Sequence, residues 1–177
     1  GDLTVSYPGT NLTVAGASTL NGNVSIAADS VTITRLVSAG GTGKDVTITA
    51  ATGDITFTQQ GRAQALSGNV SLSAAGSGAK VAADNTATFT TVAAGASDPT
   101  KGLLTLVVDT TTAITTAVNT LAAQVKSAGT LTITETDSLA IGGVTTANGG
   151  ITVSAGVRGA KVNSTLWRAW AASAATA

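Results

Sequence analysis

The stretch KDVTITAATGDITFT, residues 44–58, decides how the chain folds. Val46, Ile48 and Ala50 alternate with Thr47 and Thr49, and Ile55 and Phe57 alternate with Thr56 and Thr58. Alternation of period two sends apolar side chains to one face of a strand and hydroxyls to the other. The β-branched threonines also favour an extended backbone. Between the two runs stands Gly53-Asp54, a pair suited to a turn. The stretch therefore predicts two short strands, each with one buried side, joined by a tight corner.

The same unit recurs in both directions. Upstream lie Leu3-Thr4-Val5, Leu12-Thr13-Val14, Val24-Ser25-Ile26 and Val31-Thr32-Ile33. Downstream lie Val70-Ser71-Leu72, Leu131-Thr132-Ile133, Leu139-Ala140-Ile141 and Ile151-Thr152-Val153. Val24, Val46 and Val70 are 22 and 24 residues apart, and Val31 and Ile55 form a second series with a step of 24. Two interleaved series with one period describe a solenoid in which each strand stacks on its equivalent one turn later. The expected fold is all-β, a right-handed parallel β-helix with coils of about 22–24 residues. An immunoglobulin-type sandwich also has strands every 8–12 residues, but it does not account for the stacking period.

Composition agrees with this reading. Thr, Ala, Gly and Ser fill 102 of 177 positions, and only five residues are aromatic. Small side chains suit a narrow core, outward hydroxyl rows and tight corners. Hydrophobic content is 43% and charged content 10%, the reverse of a disordered composition. The longest aliphatic run, Leu103 to Val108, is too short to span a bilayer. Nine basic and nine acidic residues are scattered singly, so no stripe of charge points to nucleic acid.

The chain contains no Cys, His or Met. Thiol nucleophiles, imidazole bases and the usual zinc sites are therefore excluded. Gly40-Gly41-Thr42-Gly43-Lys44-Asp45 fails as a phosphate loop, because Ser38 stands where the first glycine belongs and Asp45 follows the lysine. It also fails as a calcium nonapeptide, since Thr47 occupies the large apolar position. Glu135 and Asp137 are two apart on a strand and, with Lys126 or Lys161 near, are expected to form a solvated surface cluster. Thr32 and Thr34 are expected to stack on Thr56 and Thr58, with Lys80 and Ala82 ending that ladder. No cofactor is expected, and the chain reads as not an enzyme.

Residues 1–163 are expected to form the solenoid, with an irregular insertion at about 92–126. There Asp98-Pro99 makes a turn and Leu103 to Val108 a strand, while Ile114, Val118, Leu121 and Val125 fall at helical spacing. The threonines at 110–112, 115 and 116 oppose a helix, which favours a β-coil. Residues 164–177, STLWRAWAASAATA, form a distinct tail that reads as a short helix capped by Ser164. Its Leu166, Trp167 and Trp170 are the candidate self-association residues. The segments at 59–67 and 92–102 depart from the repeat and are expected to be contact loops.

GNVSI (22–26), residues 44–58 and GNVSLSA (68–74) resemble repeats of filamentous haemagglutinin-like and autotransporter-type bacterial surface proteins. VNTLAAQV (118–125) and LTITETDSLAIG (131–142) are similar to another repeat of such proteins. The resemblance covers roughly residues 1–80 and 118–160. It implies a right-handed parallel β-helix, an extracellular or cell-surface location, and a part in adhesion or biofilm. It brings no catalytic residues. The expected function is a non-catalytic structural or adhesive segment, with cell-surface glycans or proteins as partners. The alternative is a self-assembling filament subunit stacked head to tail.

Overall fold

A strand of three to six residues cannot bury a face by itself, and two-stranded pairs are marginal in water. These strands find their partners one coil away. The computed structural model of the chain describes residues 1–58, 60–84, 90–95, 102–136 and 138–155, and these form seven stacked coils of a β-solenoid. Coil one holds β1 (Leu3–Val14) and β2 (Ala17–Thr19), and coil two holds β3 (Val24–Ile33) and β4 (Leu36–Thr42). Coil three holds β5 (Val46–Ala50), β6 (Ile55–Phe57) and β7 (Arg62–Ser67). Coil four holds β8 (Val70–Ala74), β9 (Val81–Ala83) and β10 (Val92–Ala94). Coils five, six and seven pair β11 (Leu103–Val108) with β12 (Thr112–Ala117), β13 (Thr120–Ala128) with β14 (Leu131–Glu135), and β15 (Ala140–Asn148) with β16 (Ile151–Ala155).

All pairings are parallel and define three faces. On face A, Leu3, Val24, Val46, Val70, Leu104, Leu121 and Ile141 stack in register, with steps of 21, 22, 24, 34, 17 and 20 residues. Face B stacks Leu12, Val31, Ile55 and Val81, then continues through Ala82 onto Ala113 and from Leu131 to Ile151. Face C stacks Ala17, Val37, Ala63, Val92, Thr116, Glu135 and Ala155. In the longest step, the extra residues lie on either side of β10. In the shorter coils that follow, β12 and β14 run through faces B and C without a break.

The core is the column of inward residues. Val24, Ile26, Val46, Ile48, Val70, Leu72, Leu104 and Leu106 are buried from face A, and Val31, Ile33, Ile55 and Phe57 from face B. Face C contributes mainly small residues: Val37, Ala39, Ala63, Ala65 and Ala94. The alternating Thr and Ser positions are partly exposed, as period-two alternation requires.

Two local expectations change. Residues 62–67 are not a loop but β7, paired with both β4 and β10, because Ala63 and Ala65 turn inward. Residues 92–94 are likewise strand β10. Ile114, Val118, Leu121 and Val125, despite their helical spacing, belong to β12, β13 and the two-residue link between them, all four buried in the same core. The tail at 164–177 lies outside the described residues.

Candidate functional site

The corner leading into face A shows what holds the coils in line. Asp2, Asn23, Asp45 and Asn69 occupy equivalent positions just before successive strands. Each side-chain oxygen accepts the backbone N–H of the next coil. Asp2 Oδ1 takes that of Asn23 at 2.8 Å, and Asn23 Oδ1 that of Asp45 at 3.0 Å. Asp45 Oδ1 takes that of Asn69 at 2.7 Å, and Asn69 Oδ1 that of Leu103 at 3.0 Å. These corner side chains thus bridge successive coils. Space allows it because the preceding residue is often glycine. A Cβ on Gly68 would overlap the Lys44 carbonyl oxygen of the coil below.

Other corners use the same device. Asp54 Oδ1 accepts the Lys80 N–H at 2.9 Å, and Asp29 Oδ1 accepts that of Gly9 at 2.9 Å. Asp109 accepts the Gly78 N–H at 2.7 Å and the Ser127 hydroxyl at 2.8 Å. The Gly78 bond, followed by the Ser127 bond, lowers the Asp109 pKa below its usual value. The Asn23 N–H does the same for Asp2.

Face A carries the longest regular surface row. Thr4, Ser25, Thr47, Ser71 and Thr105 stack outward over five coils, and Ala122 follows. The beside-lying row is Ser6, Ala27, Thr49, Ser73, Val107 and Gln124. On face B the threonine ladder is Thr13, Thr32 and Thr56, and Ala82 ends it.

Glu135 overturns an expectation. It is not part of a solvated cluster but only 2% exposed, inside the face C column. Its Oε2 accepts the Thr116 hydroxyl at 2.8 Å and the Val118 N–H at 3.0 Å, while Oε1 accepts the Thr136 N–H at 2.8 Å. Thr116 is stacked directly against it, so the column turns polar in these two coils. The expected partner Asp137 lies outside the described residues, as do Leu166, Trp167 and Trp170. Among the described residues, no group of three or more His, Cys, Asp or Glu is placed to hold a metal ion. No described helix is long and apolar enough to cross a membrane.

An indentation lies at the corner between faces B and C. A cleft of about 670 Å³ opens there, with Arg35, Gln60 and Arg62 on its wall and Ala15, Gly16 and Ala17 beside them. No protein-family model, curated protein or solved structure matches the chain.

Proposed function

We propose that the chain is a non-catalytic structural segment of an extracellular bacterial surface protein, a stiff rod that spaces or presents adhesive surfaces. The observation that carries this reading is the ladder of parallel coils, tied at the face A corner by Asp2, Asn23, Asp45 and Asn69. Six coil-to-coil steps at strand spacing give a rise of about 29 Å. Bending such a column breaks many ladder bonds at once, so it resists load along its length. The repeat-level resemblance to exported bacterial surface proteins supports the extracellular placement. Protease shaving of intact cells that make the protein tests it. Release of peptides from the solenoid without lysis is expected, and release only after lysis refutes the location.

The outer edge of β1 favours a second reading, a filament subunit. Among the described residues β1 pairs only with β3, and Leu3, Val5, Leu12 and Val14 are only half-buried at that end. An open strand edge is a template for another chain, and a head-to-tail contact that does not close makes a filament. Electron microscopy of the purified chain separates the two readings. Monodisperse rods support the stalk, and partner-free fibres support the subunit.

A further inference from the structure

The cleft between faces B and C arises from corners of unequal length. Val14, Ile33 and Phe57 are in register on face B, and Ala17, Val37 and Ala63 are in register on face C. Two residues bridge these faces in coil one, three in coil two and five in coil three. With both ends of every corner fixed by the ladder, the exposed Gln60 and Arg62 of coil three project outward, while Gly61 between them is buried. Coil three therefore overhangs the tight Ala15-Gly16 corner of coil one.

The overhang is held in place. Gly61 is buried, and a Cβ on it would overlap the Ile33 carbonyl oxygen, so its backbone sits directly on coil two. Its N–H donates to the Thr58 carbonyl at 2.8 Å, which closes the turn. Arg62 follows at once and is the register partner of Leu36, which puts Arg35 and Arg62 on adjacent rungs. Rungs of a sheet are about 4.8 Å apart. At the floor, Gly16 has φ +122°, a conformation that favours glycine, and a side chain there would sit 3.9 Å from Arg35 Cβ.

Two guanidinium groups thus share one cleft, both exposed, and no hydrogen bond or ion pair joins either to a described residue. The whole chain carries no net charge, so this pair is a local concentration and not part of a general basic field. Planar guanidinium forks match carboxylates in a bidentate way. Gln60 adds an amide able to bond hydroxyls, and Leu36 offers a half-buried aliphatic surface. Two cations, an amide and a small aliphatic patch, with no aromatic pocket among the lining residues, fit a polar ring bearing a carboxylate.

We propose that this cleft binds an acidic saccharide, with Arg35 and Arg62 holding a uronate carboxylate and Gln60 a ring hydroxyl. The site rests on the geometry of the corner and not on the location or filament state of the rod, so shaving and microscopy leave its test untouched. Isothermal titration with a short oligogalacturonate is the experiment, run beside a neutral oligosaccharide of equal length, inorganic sulfate, inorganic phosphate and an acidic peptide. Binding of the oligogalacturonate alone is expected. Arg35→Ala and Arg62→Ala should each weaken it about tenfold or more, and Lys80→Ala, on a different corner, should leave it unchanged. Circular dichroism should show the native fold in all three variants, since the replaced side chains are exposed. No heat at millimolar oligogalacturonate overturns the proposal. So does equal binding of the neutral sugar, sulfate, phosphate or peptide, or unchanged affinity in the Arg35→Ala/Arg62→Ala double variant.

Discussion

Replacing Glu135 with leucine tests whether the polar pair inside the core is structural. Leucine is similar in size and continues the apolar column of Val37, Ala63 and Val92. Pattern alone therefore predicts a gain in stability. The hydrogen bonds predict the opposite. Leucine cannot accept from the Val118 N–H at 3.0 Å, the Thr136 N–H at 2.8 Å or the Thr116 hydroxyl at 2.8 Å. Each buried donor left without a partner costs about 1–3 kcal/mol. The Val118 amide and the Thr116 hydroxyl lie in buried residues, so those two alone come to about 2–6 kcal/mol. Extra leucine burial returns about 1–2 kcal/mol. The net expectation is a loss centred on about 2.5 kcal/mol within a span of about 0–5, a large part of the roughly 5–15 kcal/mol that holds a domain together.

The assay is urea unfolding followed by circular dichroism, together with hydrogen exchange at the Val118 and Thr136 amides. With a slope of about 2 kcal/mol per molar urea, the midpoint should fall by about 1 M. Exchange at both amides should accelerate in Glu135→Leu. In Glu135→Gln, which keeps one acceptor oxygen, one set of donors should be protected and the other exposed. An unchanged or higher midpoint with unchanged exchange would refute the argument.

Gly68→Ala should destabilise by roughly 1–3 kcal/mol through overlap with the Lys44 carbonyl, while Gly143→Ala, with nothing within 4 Å of its added Cβ, should change the melting temperature little. Asn69→Ala should cost about 1 kcal/mol by orphaning the Leu103 N–H, and Asn69→Asp should keep most of it, as urea midpoints will show. The lowered pKa of Asp109 has a defined sign in pH dependence. Its contribution is present above the ordinary value of 3.8 and is lost as pH falls through the lower folded-state value. Melting temperature against pH should decline in that acid window, and Asp109→Asn should flatten part of the decline.

Faces A and B were legible because Val, Ile and Thr in strict alternation announce themselves, as in residues 44–58. Face C was not, and the reason is chemical. Its inward positions at 17, 39, 63, 65 and 94 are alanines, which occur equally on surfaces, so β7 read as a loop. Glu135 was hidden differently. The series Leu131, Ile133, Glu135 points it inward by the same rule that identifies every other strand, but a carboxylate by its charge ordinarily marks the solvent face. The arginine cleft left no local signal, because Arg35 and Arg62 are 27 residues apart and meet only through the register.

What the sequence determined by itself is the local rule: which side chains turn inward, where the chain bends, and that equivalent strands recur within a coil or so. Those features follow from period-two geometry and from the backbone preferences of single residues, both of which act over a few positions. Tertiary structure decided which corner overhangs which, where an Asx side chain finds the next coil's N–H, and what surrounds a buried carboxylate. Each of these depends on coil lengths that differ from turn to turn, and a difference in length acquires meaning only when the coils are stacked.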